Sequence, residues 1–175
     1  MPFSLNLYIG PMFSGKTTAL LNSVDDESIV IDFEKDTFCR RSFVYSHDNN
    51  SKMCINMSHL DTLFLTEYYK EGSFGKYKKI LINEAQFFPD LHEFIKTIET
   101  YDIRVEVYGL DGDFERKPFG EILSIIPYCN HVTKFIGNCE CGGVSLFSKR
   151  ITENREQYLL DSTAYRPVCR NCYLN

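Results

Sequence analysis

Short apolar blocks separated by polar turns run through most of the chain, and they fall into two periods. Leu5-Asn6-Leu7-Tyr8-Ile9 reads as a short strand, as do Ser28 to Phe33, Arg104 to Leu110 and Val132 to Ile136. Lys79-Ile80-Leu81-Ile82-Asn83 is an almost unbroken apolar run, the pattern of a strand buried on both faces. Met53 to Met57 is a candidate third strand, and Glu34 to Asn50 between them is polar and irregular. Helical spacing appears at Ala19, Leu20 and Val24, giving a helix of about two turns from Thr17 that Asp25-Asp26-Glu27 stops. Ser58-x-x-Asp61 resembles a capping box opening a helix with Leu60, Leu63, Phe64 and Tyr68 on one face. Leu91, Phe94, Ile95 and Ile98 mark an amphipathic helix, and a short one through Ile122 to Ile126 is predicted to end at Pro127. Strands alternating with helices predict an α/β domain with a parallel sheet. From Asn138 onward, cysteines, paired glycines and two strand-like runs predict a small β-ribbon lobe. The predicted division is residues 1–137 for the sheet domain and 138–175 for the lobe.

The turn after the first strand carries chemistry. Gly10-Pro11-Met12-Phe13-Ser14-Gly15-Lys16-Thr17 fits the phosphate-binding loop G-x-x-x-x-G-K-T/S, and Thr18 follows it into the helix. Glycines at both ends let the backbone close into a cradle of N–H donors for a polyphosphate. Lys16 is placed to reach the β/γ-phosphates, and the Thr17 hydroxyl to ligate Mg²⁺. The predicted fold is therefore α/β of the P-loop NTPase type, a parallel sheet flanked by helices that binds a nucleoside triphosphate such as ATP. The strand ending Ile82-Asn83-Glu84 is its natural partner, because such proteins hold the Mg²⁺ hydration shell from a neighbouring strand end. Asn83 can accept from a metal-bound water, and Glu84 can act as a base on an attacking hydroxyl or cap the next segment.

Composition narrows the class. A chain of 175 residues suffices for one substantial core with a small appendage, and 25% charged with 14% aromatic residues is an ordinary globular balance. The net charge of −5 argues against an extended nucleic-acid surface. No apolar run reaches 18 residues, so no membrane span is expected, and Met1-Pro2-Phe3-Ser4 leads straight into the first strand, so no signal peptide is expected. Of seven cysteines, Cys139, Cys141, Cys169 and Cys172 form two close pairs, which suggests metal before disulfide and a cytoplasmic setting. Reduced free thiols are the alternative, and Cys39, Cys54 and Cys129 are read as structural.

Four motifs in order carry a family resemblance: Gly10 to Thr17, Asn83-Glu84-Ala85-Gln86-Phe87-Phe88-Pro89-Asp90, Leu110 to Gly120, and Val168-Cys169-Arg170-Asn171-Cys172-Tyr173. Together they resemble the thymidine kinases of the cytosolic and poxvirus type over nearly the whole chain. The resemblance implies transfer of the ATP γ-phosphate to the 5′-hydroxyl of thymidine, with deoxyuridine secondary and Mg²⁺ required. It implies Glu84 as general base and Lys16 as the charge on the moving phosphoryl group. Met12, Phe87, Phe114, Phe119, Tyr158 and Tyr165 would surround the nucleoside, with Phe114 stacked on the pyrimidine. The C-terminal part would be a zinc ribbon held by Cys139, Cys141, Cys169 and Cys172, followed by a substrate lasso. A cytoplasmic homotetramer, with no nucleic acid or membrane partner, completes what the resemblance implies.

The chain departs from the family pattern at several points. Asn138 stands where a cysteine is expected, Leu160-Asp161 where Gly-Gly is expected, and Asp36-Thr37-Phe38 where Asp-Thr-Arg is expected. Arg40 and Arg41 are the candidates to replace that missing cation, and His47-Asp48 matches the family's His-Asp. Asn83, Phe38 and Leu160-Asp161 leave a second reading open, a degenerate nucleotide-binding homologue with a regulatory or scaffold role.

Overall fold

The computed structural model describes residues 2–175 except 36, 38, 47–49 and 160. Strand β1 (Ser4–Ile9) runs through the phosphate loop into helix α1 (Lys16–Ser23) and returns as β2 (Ser28–Phe33). Then follow β3 (Arg40–Tyr45), β4 (Ser51–Met57), β5 (Lys79–Ile82), helix α2 (Leu91–Ile98), β6 (Arg104–Gly109) and β7 (His131–Lys134). The C-terminal part holds β8 (Gly137–Asn138), β9 (Val144–Ser145), β10 (Phe147–Arg150), β11 (Tyr165–Val168) and helix α3 (Arg170–Leu174). Seven strands form one sheet in the order β3-β4-β2-β5-β6-β1-β7, parallel throughout except where β3 pairs antiparallel with β4. Two small antiparallel pairs, β8 with β9 and β10 with β11, make the C-terminal ribbons. Among the described residues no helix is long and apolar enough to cross a membrane.

The apolar runs read as strands because both faces of the sheet are covered. On one face Ile29, Ile31, Ile80, Ile82, Val105 and Val107 pack with Leu91, Phe94, Ile95 and Ile98 of α2. On the other, Val30, Leu81 and Tyr108 pack with Leu20 and Leu21 of α1. The two-residue period of a strand sends neighbours to opposite cores. On the α1 side sits a buried carboxylate, Glu106, only 1% exposed. Ser23 Oγ and Tyr108 OH donate to its Oε2 at 2.7 and 2.8 Å, and Arg104 Nη2 lies 2.6 Å from Oε1.

Three local readings are corrected. The stretch read as irregular contains β3, an edge strand whose outward Arg40, Arg41, Phe43 and Tyr45 hide the alternation, while Val44 turns inward. Residues 60–65 form a 3₁₀ helix instead of an α-helix, and Ser58 does not cap it. Its Asp61 N–H is taken by Asp90 Oδ2 at 2.9 Å, a partner distant in sequence. Pro127 lies at the start of a 3₁₀ turn over Ile126–Tyr128, where its missing N–H costs nothing, so it does not terminate a helix.

Candidate functional site

Parallel strands end in loops on the same side, and the C-terminal ends of β1, β2, β5 and β6 open into a cleft of about 650 Å³. The phosphate loop forms one side. Phe13 (φ 59°) and Gly15 (φ 86°) take left-handed conformations, which turns successive N–H groups toward a common hollow. Gly10 is required for a different reason than the cradle alone suggests. At φ 150° a Cβ there would lie 2.5 Å from the carbonyl oxygen of Phe135, so the neighbouring chain after β7 passes too close for any side chain. Ser14 Oγ donates to Pro11 O at 2.8 Å, and Met12 N donates to Ser148 Oγ at 2.9 Å, tying the loop to β10.

Lys16 Nζ folds back onto its own loop, donating to Pro11 O at 2.7 Å. Burial lowers its pKa to about 8, against the pull of Glu84 and Asp111. A desolvated ammonium beside a ring of N–H donors gains most from an incoming polyanion. Thr17 and Thr18, in the first turn of α1, line the same cleft.

Opposite lie the strand-end acids. Glu84 adopts a left-handed backbone (φ 49°, ψ 40°), rare for a residue with a side chain and a mark of local strain. It stands at the N-terminus of a 3₁₀ turn but its side chain caps nothing there. Instead Gln86 Nε2 donates to Glu84 Oε2 at 2.6 Å, while Gln86 Oε1 accepts from Leu110 N at 2.9 Å. Asn83 is buried, and its Nδ2 donates to Asp32 Oδ1 at 3.0 Å across the β2–β5 pair. Burial raises the Asp32 pKa to about 6, partly offset by the Asn83 bond and reinforced by Glu84.

Aromatic rings form the remaining wall. Phe87 packs against Tyr158 at 4.9 Å and Phe119 at 5.3 Å, and Phe33 closes on Phe87 at 5.3 Å. Met12, Phe114 and Tyr165 line the same cleft. Tyr165 OH accepts from Leu159 N at 2.8 Å and from Arg150, so its hydroxyl holds the 154–159 loop. Tyr173 OH donates to Phe114 O at 2.7 Å, coupling α3 to the loop that carries Phe114.

In the C-terminal part the Sγ atoms of Cys139, Cys141, Cys169 and Cys172 all lie within 4.8 Å of one another. Cys141 Sγ is 3.4 Å from Cys139 Sγ and 3.6 Å from Cys169 Sγ. A tetrahedral zinc with Zn–S of about 2.3 Å demands edges of about 3.8 Å, so the four sulfurs fit that ion. Backbone N–H groups of Cys141 and Cys169 lower the Cys139 thiol to about 6, which favours the thiolate a metal binds. Gly142, directly after the first pair, takes φ 85° and donates its N–H to Cys139 O at 2.9 Å, turning the chain there. Away from this cluster, Cys54 and Cys129 are pushed up to about 12 and about 11 by burial, whereas Cys39 is exposed.

Every predicted cleft residue from Met12 to Thr18, with Asn83, Glu84, Phe87, Phe114, Phe119, Tyr158 and Tyr165, lines this same cavity; Gly10 and Pro11 lead into it. Arg40 and Arg41, the candidates for a replacement cation, pair with Glu34 and Glu67 at the exposed edge of the sheet and are not among the residues that line the cleft. Asp36, Phe38, His47, Asp48 and Leu160 lie outside the described residues. Asp32, Ser148 and Arg150 carry no motif in the sequence, and Gln86 stands in the second motif without a role of its own. For Asp32 a signal existed, an acidic residue at the end of the strand after the phosphate-loop helix.

A family model described as thymidine kinase matches residues 3–173. A thymidine kinase of Oryza sativa subsp. japonica is 37% identical over 184 residues, covering 99% of this chain and 67% of the rice protein. The cytosolic thymidine kinase of Homo sapiens is 36% identical, covering 97% of this chain and 72% of its own length. The thymidine kinase of Sheeppox virus (strain KS-1) is 37% identical, covering 97% of this chain and 96% of its own.

Proposed function

The chain belongs to the thymidine kinase family, and on that premise we propose that it transfers the ATP γ-phosphate to the 5′-hydroxyl of thymidine, with deoxyuridine as secondary substrate. The observation that carries this reading is one cavity shared by Lys16, Glu84 and the Phe87–Phe119–Tyr158 wall. A polyphosphate on the loop and a flat nucleoside against the rings would leave the Glu84 carboxylate next to the sugar hydroxyl. The degenerate-homologue alternative is not favoured, because the family match runs through every motif of the chain.

The chemistry follows from these side chains. Glu84 accepts the 5′-hydroxyl proton as the oxygen attacks the γ-phosphorus and ADP departs. Gln86 occupies Oε2 of Glu84, which leaves Oε1 for the substrate. Lys16 would exchange its contact with Pro11 O for the phosphoryl oxygens, stabilising charge that grows in the transition state. Mg²⁺, when bound, neutralises the β/γ-phosphates; Thr17 would hold it directly and Asn83 through its water shell. Positioning and electrostatics supply most of the acceleration, since phosphoryl transfer asks little covalent work of the protein.

Phe114, Met12 and Tyr165 complete the nucleoside pocket in this reading, and the four cysteines hold a structural zinc. A cytoplasmic homotetramer acting without nucleic acid or membrane is part of the same proposal, drawn from the family resemblance. Incubating a nucleoside panel with ATP and Mg²⁺ and separating the products tests it. Thymidine 5′-monophosphate is the expected main product, and Glu84→Gln should lower kcat by about 10²-fold or more. No monophosphate from any pyrimidine deoxynucleoside would overturn the reading.

A further inference from the structure

Asn83 sits where a nucleotide-bound metal ion is normally approached by a carboxylate, and an amide brings two difficulties. It carries no charge, and its two ends are opposite in hydrogen-bonding character, so a turned amide would present an N–H₂ donor where an acceptor is needed. The fold answers both. Asp32 is the penultimate residue of β2 and Asn83 follows β5, its register partner strand, and the two side chains meet with Nδ2 of Asn83 donating to Oδ1 of Asp32 at 3.0 Å. A carboxylate only accepts, so the amide is held with Nδ2 toward β2 and Oδ1 away from it. The backbone at this point is anchored too, since Asn83 N donates to Ile31 O at 2.8 Å. Asn83 itself is 6% exposed, which leaves its side chain little freedom to turn.

Asp32 is also short of partners. Its Oδ1 accepts from Asn83 Nδ2 and from Phe33 N at 3.0 Å, and among the described residues no donor is placed on Oδ2. No lysine or arginine pairs with it among the described residues. Asp32 is half-buried, and a carboxylate there without a counter-cation is stabilised by any cation that reaches it. Asp32 lines the same cleft as Lys16, Thr17 and Glu84, so a cation carried in on a polyphosphate would arrive on its side of the fold.

On the kinase reading above, we propose that Asp32 is a positioning residue for the metal. Its carboxylate fixes Asn83 with the carbonyl oxygen presented to the metal's water shell, and supplies through that bond the negative charge that Asn83 lacks. Asp32 and Asn83 thus act as one acidic unit spread over two neighbouring strands. The arrangement differs from a single strand-end aspartate because the charge lies one strand further from the phosphate loop, with the amide as its relay.

The test uses Mn²⁺ as the metal probe and ADP as the nucleotide, so that no turnover is needed. Mn²⁺ binding to the full chain with ADP is measured by electron paramagnetic resonance, and ADP affinity without metal by calorimetry. Asp32→Asn keeps the shape, removes the charge and frees the amide to turn. It should weaken Mn²⁺ binding in the ADP complex by about tenfold while leaving metal-free ADP affinity within about twofold. The swap Asp32→Asn with Asn83→Asp restores a carboxylate–amide pair and should return Mn²⁺ affinity to within about threefold of the wild type. Equal Mn²⁺ affinity in Asp32→Asn and wild type overturns the proposal. So does a loss of ADP and Mn²⁺ binding together, which is what a merely structural residue would give. If Asp32→Asn does not fold, the swap alone decides, and a folded swap more than tenfold weaker for Mn²⁺ overturns the proposal. A wild type that binds no ADP overturns the kinase reading itself, an outcome distinct from an unaffected Asp32→Asn.

Discussion

The guanidinium of Arg150 lies 4.0 Å above the ring of Phe114. It also gathers the 154–159 loop, donating to Asn154 O at 3.0 Å, to Glu156 O, and to the hydroxyl of Tyr165. One buried side chain therefore covers a face of Phe114 and anchors the loop that brings Tyr158 to the cleft. A planar ligand stacked on Phe114, as the proposed function has it, would meet a ring already held from one side by this cation–π contact.

Arg150→Lys should loosen this wall without touching the phosphate loop. An ammonium cannot reproduce a planar fork that serves several acceptors at once, and each lost charge-assisted bond is worth about 1.5–3 kcal/mol. We expect kcat/KM for thymidine to fall by about tenfold or more, with KM for ATP changed by less than about twofold. Steady-state kinetics with each substrate varied separately checks it, and an equal effect on both would refute the assignment.

Lys16→Ala should abolish phosphoryl transfer while leaving the fold intact. The side chain is half-buried and, among the described residues, bonded only to its own loop, at Pro11 O and Ser14 Oγ, so no distant hydrogen bond is lost. We expect a rate loss of at least about 10³-fold, the scale of removing a charge that acts on the transition state. Near-normal turnover in a variant with unchanged circular dichroism would contradict this role.

About one zinc per chain is expected in protein purified without chelator, from the sulfur tetrad at Cys139, Cys141, Cys169 and Cys172. Lys149 Nζ donates to Cys172 O at 2.8 Å, and Tyr173 OH reaches Phe114 O, so loss of the ion should be felt in the cleft. Cys172→Ser should lower both the metal content and the nucleoside affinity. Elemental analysis showing no metal, with four titratable thiols in that part, would count against the site.

Glu106→Gln should destabilise the fold without changing the chemistry. Ser23 Oγ and Tyr108 OH both donate to one carboxylate oxygen, and Arg104 lies against the other. An amide supplies one acceptor oxygen and turns a donor on the remaining partner, at a cost of about 2–3 kcal/mol. For a chain of this size that is a fall in Tm of about 5–10 °C. A Tm unchanged within about 1 °C would show that the buried network carries no net stability.

The sequence alone determined what depends on neighbours along the chain. The phosphate loop was legible because each fixed position has a local reason, and the order of strands and helices because two-sided burial leaves long apolar runs such as Lys79 to Ile82. The strand-end pair Asn83-Glu84 and the two cysteine pairs were legible from spacing. Edge strand β3 was not, because a strand with one neighbour exposes the side chains that would otherwise show the alternation. Ser58 looked like a cap, yet Asp90, 29 positions from the Asp61 N–H it accepts, does that work. Only the tertiary structure decided how the site is finished, because its remaining parts are pairs from separate strands and loops. Asp32 meets Asn83 through the β2–β5 register, Gln86 sets Glu84 against Leu110, and Arg150 unites Phe114 with the 154–159 loop. Side-chain hydrogen bonds between segments distant in sequence leave no periodicity to read, so these residues became visible only once the sheet had brought their strands together.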